Sequence, residues 1–376
     1  MADPLSSRTL APEAAPQADP GPIHVTRTFL PPREEYLHWL DQVYASNQIT
    51  NNGPIHQLLE ERLRERFQVP HLRLMANGTL AIQIALRALG VTGKVITTPF
   101  SYVATTSAIL WEGCTPVFTD IDPDTCCIDP KGIEAAITPE TTAILATHVY
   151  GIPCDVEAIA AIADEHGLKV IYDAAHAFDV EYKGRSILQW GDASTLSFHA
   201  TKLFHTVEGG ATVFHDEEAY KRSRLLRSFG HIGDEHFTLG INAKMSEVHA
   251  AMGMAVLPHV PAAMEGRQRV IQRYDAKLAG AVGRPVVPPG VRYNHAYYPV
   301  HLADGAQRQR VTDALLAQGV HPRRYFYPSL NLLPYVAHTP APVSERMAEC
   351  TLCLPLYPEL TDAEVDRIAG LVLAAL

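Results

Sequence analysis

The sequence of 376 residues lacks any apolar run near the roughly 18 residues that a membrane-spanning helix requires. Its N-terminus also lacks the apolar stretch of a signal peptide and instead carries Asp3, Glu13 and Asp19. Basic residues are fewer than acidic ones. The chain has 31 lysine and arginine residues and 41 aspartate and glutamate residues, which gives a net charge of -10. Nonspecific binding to nucleic acid needs clustered cations. We therefore expect a cytoplasmic protein that binds neither membranes nor nucleic acids.

Cysteine is also scarce, with six residues in the whole chain. Only Cys350 and Cys353 have the C-x-x-C spacing that a zinc site uses, and no further ligands stand at a matching distance along the sequence. We therefore expect reduced and mostly buried cysteines, and we predict no metal site.

Composition and periodicity divide the chain into three parts. Residues 1–22 are rich in alanine and proline and are predicted to form a disordered tail. Short apolar runs then alternate with amphipathic helices, which is typical of βαβ units and a mainly parallel sheet. A sheet of about seven strands is plausible at this size. The strands predicted from apolar runs are 94–98, 116–120, 143–148, 169–173, 195–198 and 211–214.

The pattern changes after about residue 258. A long helix is predicted at 262–278, and a proline-rich stretch with short strands and helices follows it. This composition indicates a smaller α+β unit. The sequence thus predicts an α/β fold with a large domain at 23–258 and a small C-terminal domain at 259–376.

Two polar residues follow predicted strands at the edge where α/β sheets bind ligands. Asp173 ends the apolar strand 169–173, and Lys202 follows the strand 195–198 within the run S-F-H-A-T-K. A lysine in an apolar, cationic setting has a lowered pKa, so it can hold pyridoxal phosphate (PLP) through its amine and move protons. A carboxylate can face the pyridine nitrogen of PLP and keep it protonated. We therefore interpret Lys202 and Asp173 as catalytic residues.

Four further residues match the remaining needs of this cofactor. Gly78 and Thr79 stand at the start of a helix predicted at 79–89, where backbone N–H groups and a hydroxyl can bind a phosphate. Ser197 can add a second hydroxyl, and Tyr102 can lie flat against the cofactor ring. Each of these residues alone has an ordinary structural explanation as a turn, cap or core residue. Their joint occurrence in this order within one βα array favours a PLP site.

Several motifs together resemble the fold-type-I, DegT/DnrJ/EryC1/StrS family of PLP-dependent nucleotide-sugar aminotransferases. The resemblance spans about residues 23–376. The main motifs are N-Q-I-T-N-N-G-P near 47–54, N-G-T-L-A-I at 77–82, P-F-S-Y-V-A-T at 99–105, D-A-A-H-A at 173–177, S-F-H-A-T-K at 197–202, G-I-N-A-K-M-S-E at 240–247 and L-P-L-Y-P-E-L-T near 354–361.

The resemblance implies a homodimer with active sites shared between the subunits. It implies that Asn242 reaches the PLP phosphate of the partner subunit and that His176 lies beside the 3-hydroxyl of the cofactor. Lys244 stands where many relatives carry arginine, and as a local cation it is a candidate for binding the diphosphate of the substrate. The resemblance also implies a reaction in which glutamate gives its amino group, through PLP, to C4 of a dTDP-4-keto-6-deoxyhexose. The product would be dTDP-4-amino-4,6-dideoxyglucose.

A basic and aromatic run near the C-terminus is a second candidate for substrate binding. Arg323, Arg324 and Tyr325 place two adjacent guanidinium groups beside an aromatic ring. Such a pair can bind a pyrophosphate or the carboxylate of the amino donor. A surface loop with solvated charges is the alternative explanation.

Three rival functions remain open at this point. A 3-ketosugar aminotransferase on the same scaffold would share every motif, because the sequence does not place the ketone. A PLP-dependent sugar dehydratase is disfavoured, since relatives with that chemistry carry histidine at the position of Lys202. A transcriptional regulator is disfavoured by the acidic balance and by the lack of a basic helix-turn-helix pattern.

Overall fold

The computed structural model describes residues 21–376, so the predicted tail lies, apart from its last two residues, outside the described residues. The α-helices of the described part are α1 (Arg33–Ser46), α2 (Pro54–Phe67), α3 (Gly78–Ala88), α4 (Val103–Trp111), α5 (Pro130–Ala136), α6 (Val156–His166), α7 (Glu217–Leu226), α8 (Glu247–Val256), α9 (Val260–Leu278), α10 (Gly305–Leu316), α11 (Pro342–Cys350) and α12 (Asp362–Ala375). The strands of the largest sheet are β1 (His71–Met75), β2 (Lys94–Thr97), β3 (Thr115–Phe118), β4 (Thr141–Thr147), β5 (Lys169–Asp173), β6 (Ala193–Ser197) and β7 (Gly210–Phe214).

The main sheet has seven strands in the order β1-β7-β6-β5-β4-β2-β3. Strand β7 runs antiparallel to both of its neighbours, and the other adjacent pairs are parallel. Strands β4, β5 and β6 are buried on both faces along most of their length, as a parallel sheet covered by helices requires. The predicted α/β fold with a mainly parallel seven-stranded sheet is confirmed.

Element boundaries differ from the predicted ones where a side chain caps a helix. The helix predicted from residue 79 begins one residue earlier, at Gly78, because the side chain of Asn77 accepts the backbone N–H of Leu80 at 2.9 Å. The strand predicted at 169–173 matches Lys169–Asp173. The predicted and observed bounds of this strand agree because it is a short apolar run that ends at a charged residue.

The sequence did not indicate β1, and the reason is a buried charge. Arg73, in the middle of β1, is only 8% exposed and pairs with Glu60 at 3.2 Å. A charged residue inside the strand interrupts the apolar run on which the prediction depended. Helix α1 was missed for a different reason, since Val43 is the one fully buried side chain along it and its apolar face is weak.

The C-terminal part has its own apolar cluster, built mainly from α9, α10, α12 and an antiparallel pair of short strands. Residues 23–24 pair in parallel with Val320–His321, so the start of the described chain packs on this part. The division into domains at residue 258 stays a prediction. The short strands are Ile23–His24, Glu181–Tyr182, Arg185–Ser186, His231–Ile232, Glu235–His236, Val291–Arg292, Tyr298–His301, Val320–His321 and Thr351–Leu354.

All six cysteines are free and buried, which agrees with the expectation of reduced and mostly buried cysteines. Among residues 21–376, no helix combines the length and the apolar character that crossing a membrane would require.

Candidate active site

A cavity of about 320 Å³ lies at the carboxyl ends of β4, β5 and β6, where these parallel strands meet helices α3 and α4. The C-terminal part closes one side of it with Tyr297, Arg323 and residues 325–326. The sequence-predicted residues that line it are Gly78, Thr79, Tyr102, Asp173, His176, Ser197, Lys202, Arg323 and Tyr325.

Lys202 points its amine into this cavity from the loop that follows β6. Its Nζ donates a hydrogen bond to the Tyr297 hydroxyl at 3.3 Å. Burial, opposed by the charge of Asp173, lowers the pKa of Lys202 to about 8. About a tenth of the amine is therefore unprotonated at pH 7, compared with less than about a thousandth for an ordinary lysine, and the unprotonated form is the one that attacks a carbonyl carbon.

Asp173 lies at the end of β5 and is only 5% exposed. One carboxylate oxygen accepts the Thr105 hydroxyl at 2.8 Å, and the other accepts the Ala175 backbone N–H at 3.1 Å. Burial raises the pKa of Asp173, whereas these two hydrogen bonds and the charge of Lys202 act in the opposite direction. Each carboxylate oxygen retains acceptor capacity for a donor in the cavity.

The N-terminus of α3 faces the same cavity. The side chain and backbone carbonyl of Asn77 bind the N–H groups of Leu80 and Ala81, at 2.9 and 3.1 Å. The first two N–H groups of the helix, on Gly78 and Thr79, have no intrahelical acceptor and suit an anion. A side chain at Gly78 would place its Cβ 2.9 Å from the Cβ of Ser197. Only glycine therefore fits between this helix and β6.

His176 forms part of the cavity wall as a neutral ring. Burial, and secondarily the charge of Lys202, holds its pKa well below the usual value. Its Nδ1 accepts the backbone N–H of Tyr150 at 3.2 Å, so the ring proton resides on Nε2. The ring stacks on Phe326 with centroids 5.5 Å apart. His176 can therefore donate one hydrogen bond to a ligand.

Three sequence-predicted residues do not line this cavity, namely Asn242, Lys244 and Arg324. Asn242 is exposed, and its side-chain oxygen accepts from the Lys244 amine at 2.7 Å. Arg324 is turned toward Glu349, with which it forms an ion pair at 3.0 Å. Adjacent residues in an extended segment point to opposite sides, which explains why Arg323 lines the cavity and its neighbour Arg324 does not.

Sequence reasoning missed several cavity residues. Tyr297 bonds the Lys202 amine although 95 positions separate the two residues in the chain. Phe326 was passed over within the aromatic run that contains Tyr325. The hydroxyls of Ser101 and Thr105, on the approach to Asp173, were quoted within a motif but were not assigned a role. No local pattern in the sequence connects Thr105 with Asp173, because 68 positions separate the two residues.

The groups present fit PLP. A partly deprotonated amine, a buried carboxylate with spare acceptor sites and a helix N-terminus that admits only glycine surround one cavity. These are the groups that the aldehyde, the ring nitrogen and the phosphate of PLP require. Fold and site together define a PLP-dependent enzyme built on an α/β sheet.

Comparisons with known proteins name the family. Residues 32–373 match the model of the DegT/DnrJ/EryC1/StrS aminotransferase family. The dTDP-4-amino-4,6-dideoxy-D-glucose transaminase of Shigella dysenteriae is 43% identical over 93% of this chain and 98% of its own length. The chain belongs to the DegT/DnrJ/EryC1/StrS aminotransferase family, and it is a PLP-dependent nucleotide-sugar transaminase.

The chain is also similar to two further known proteins. UDP-N-acetyl-3-dehydro-alpha-D-glucosamine 3-aminotransferase of Acidithiobacillus ferrooxidans is 36% identical, over 92% of this chain and 94% of its own length. The crystal structure of DesI in the presence of its TDP-sugar product superposes with a TM-score of 0.90 at 37% identity. That likeness covers 96% of this chain and 94% of the DesI chain.

Proposed function

We propose that this enzyme transfers an amino group from glutamate to C4 of a dTDP-4-keto-6-deoxyhexose and so forms dTDP-4-amino-4,6-dideoxyglucose. The observation that supports the reaction most directly is the amine of Lys202 in a cavity that also holds the buried carboxylate of Asp173. The support for the sugar is the 43% identity, over nearly the full length of both chains, to a transaminase named for this product. A cytoplasmic location is part of the proposal.

Each part of PLP has a candidate partner in the cavity. Lys202 would hold the cofactor through its amine, and Asp173 would face the ring nitrogen. The N–H groups of Gly78 and Thr79 would bind the phosphate with the Ser197 hydroxyl. Two further contacts are proposed, from Tyr102 to the ring face and from His176 to the 3-hydroxyl.

Bound PLP supplies an electron sink that makes the hydrogen on an amine-bearing carbon acidic. Lys202 Nζ would take the proton from Cα of glutamate and pass it to C4′ of the cofactor. In the second half-reaction the same nitrogen would carry a proton from C4′ to the sugar carbon that receives the new nitrogen. The Tyr297 hydroxyl, 3.3 Å from Nζ, orients the amine between these two positions. A lysine with a pKa of about 8 can both accept and release a proton near neutral pH.

A second candidate function is amination at C3 of the sugar. It is favoured by one observation, the 36% identity to a relative whose name describes a 3-aminotransferase. To decide between the two, the purified enzyme is incubated with glutamate and a panel of dTDP-, UDP- and GDP-ketosugars, and products are identified by mass spectrometry. NMR of the preferred product is expected to place the new nitrogen on C4. Nitrogen on C3 would establish the rival reaction.

Arg323 is proposed to bind the diphosphate of the sugar nucleotide. Its guanidinium lies on the cavity wall near the Tyr325 ring, whereas the protein as a whole carries a net charge of -10. A charge-assisted contact to phosphate is worth about 1.5 to 3 kcal/mol, so Arg323→Ala should raise the KM for the sugar nucleotide roughly 10- to 150-fold. Stopped-flow measurement of the glutamate half-reaction should show no change.

Arg324→Ala is the matched control for this prediction. The guanidinium of Arg324 is held by Glu349 outside the cavity, so this variant should retain the wild-type KM. If Arg323→Ala slows the glutamate half-reaction instead, Arg323 binds the carboxylate of the donor rather than the diphosphate.

A homodimer with shared active sites is part of the proposal. Asn242 is exposed and Lys244 is half-buried, and both lie outside the cavity of their own chain, where a partner subunit could contact them. We propose that Asn242 reaches the PLP phosphate in the partner and that Lys244 contributes charge to the partner's substrate site. The segment that contains both residues is anchored from within, because the buried carboxylate of Glu247 accepts two backbone N–H groups at the start of α2.

A further inference from the structure

Four side chains in the cavity wall and behind it are joined by three consecutive hydrogen bonds. The carboxylate of Asp173 is 2.8 Å from the Thr105 hydroxyl. That hydroxyl is 2.8 Å from the hydroxyl of Ser101, which is in turn 3.0 Å from the hydroxyl of Thr147. All four residues are at most 5% exposed, so bulk water has little access to these bonds. We call this series the hydroxyl chain.

The ionised carboxylate determines the direction of every bond in the hydroxyl chain. Because an ionised carboxylate only accepts, the single proton of Thr105 is donated to Asp173. Thr105 must then accept from Ser101, and Ser101 must accept from Thr147. The three O–H dipoles therefore point the same way, toward Asp173, and bonds aligned in this manner polarise one another.

A protonated Asp173 would not enforce this alignment. Its carboxyl group would have a proton to donate, so the Thr105 hydroxyl could accept instead and the whole series could reverse. The aligned chain is therefore specific support for the charged form. Such support is needed because burial raises the pKa of Asp173, and the bond from Thr105 is the largest influence that lowers it.

We propose that Thr105, Ser101 and Thr147 are positioning residues that keep Asp173 ionised, so that the proton between Asp173 and PLP stays on the ring nitrogen. This inference rests on the proposed function, in which Asp173 faces that nitrogen. The inference assigns a role in the reaction to three hydroxyl groups, although only the hydroxyl of Thr105 contacts the carboxylate. Thr105 does not line the cavity, whereas Ser101 and Thr147 do. The role proposed for all three is exerted through Asp173.

Thr106 offers a matched comparison. It is the next residue along α4, it is buried like Thr105, and its hydroxyl has no hydrogen-bond partner among the residues that the structure describes. Replacing Thr106 by valine removes the same atoms from the same helix without touching the hydroxyl chain. A buried hydroxyl without a partner does not stabilise the fold, so this variant should fold at least as well as the wild type.

The test follows the ring nitrogen itself, by NMR of the holoenzyme reconstituted with PLP that carries ¹⁵N in the ring. In the wild type the nitrogen should give the signal of a protonated pyridinium. Thr105→Val makes Asp173 more basic, so the proton moves toward the carboxylate and the signal should shift toward that of neutral pyridine. Thr105→Ser and Thr106→Val should both give the wild-type signal.

The more distant hydroxyls should act in the same direction but more weakly. Ser101→Ala removes the donor that polarises Thr105, and Thr147→Val removes the donor that polarises Ser101. The shift of the nitrogen signal should therefore decrease from Thr105→Val to Ser101→Ala to Thr147→Val. These two variants also keep the proposal testable if Thr105→Val does not fold.

Two outcomes would overturn the proposal, and they have different meanings. If Asp173→Asn shifts the nitrogen signal but the hydroxyl variants only lower the melting temperature of the apoenzyme, the hydroxyl chain is structural and the proposed function stands. If Asp173→Asn also leaves the signal unchanged, Asp173 does not face the ring nitrogen, and that part of the proposed function fails together with the chain.

Discussion

Lys202→Ala is expected to abolish turnover and to remove the visible absorption band of bound PLP, while the fold survives. The amine is the only group of this side chain that the proposed reaction uses, and no neighbouring lysine lines the described cavity to replace it. We expect the rate to fall at least about 1,000-fold, or roughly 4 kcal/mol of barrier at 1.36 kcal/mol per decade. Steady-state kinetics, an absorbance spectrum and a thermal melt measure the three quantities.

The pH dependence of cofactor capture gives an independent check on Lys202. Its pKa, lowered from 10.5 to about 8 by burial, means that the reactive free amine appears as the pH rises through about 8. An ordinary exposed lysine would remain almost wholly protonated there. The rate at which apoenzyme captures PLP should therefore rise between pH 7 and 9 and level off above. A rate that continues to rise tenfold per pH unit beyond pH 9 would contradict the lowered pKa.

Two controls separate lost chemistry from lost folding. Lys131→Ala, at an exposed lysine on α5, should leave activity and spectrum unchanged. Mixing Lys202→Ala chains with separately inactive Asn242→Ala chains should restore activity, because one site of such a heterodimer carries neither defect. Near-wild-type turnover by Lys202→Ala alone would show that another residue holds the cofactor. Failure of the mixture, after mass spectrometry has confirmed subunit exchange, would contradict the shared site.

Asp173→Asn is expected to leave PLP bound weakly and to lower the rate at least about 100-fold, or ~2.7 kcal/mol of barrier. Asparagine keeps the shape of the side chain and an oxygen that can accept the Thr105 hydroxyl. It cannot hold a proton on the pyridine nitrogen, since it lacks the negative charge that stabilises a pyridinium. The ring then withdraws electrons less strongly, and the proton on Cα of the donor is less acidic.

Single-turnover absorbance of the glutamate half-reaction measures this effect apart from substrate binding. Asp164→Asn, at an exposed position on α6, is the matched control and should have the wild-type rate. A rate for Asp173→Asn within a factor of three of the wild type would show that Asp173 does not face the ring nitrogen. The comparison is made at saturating PLP, so that weaker cofactor binding does not mimic slower chemistry.

The sheet and the chemical type of the site could be predicted because the information is local. An apolar run that ends in Asp173, followed along the chain by a second run and Lys202, places both residues at one edge of a parallel sheet. The N-cap at Asn77 and the glycine after it similarly predict a helix start that can bind a phosphate. These features depend on alternation and capping within stretches of about ten residues, which a single sequence reveals.

The tertiary structure alone decided how these residues are supported. Three sets of contacts join residues that no local pattern connects. They are the bond between Tyr297 and Lys202, the hydroxyl chain that ends at Asp173, and the ion pair of Arg324 with Glu349. Each depends on packing between distant segments, because a hydrogen bond is made only where the fold brings a donor and an acceptor within about 3 Å. The sequence by itself determined which chemical groups stand at the edge of the sheet. Packing shifted the pKa values of Lys202 and Asp173, because burial and neighbouring groups control a pKa and neither can be read from residue order.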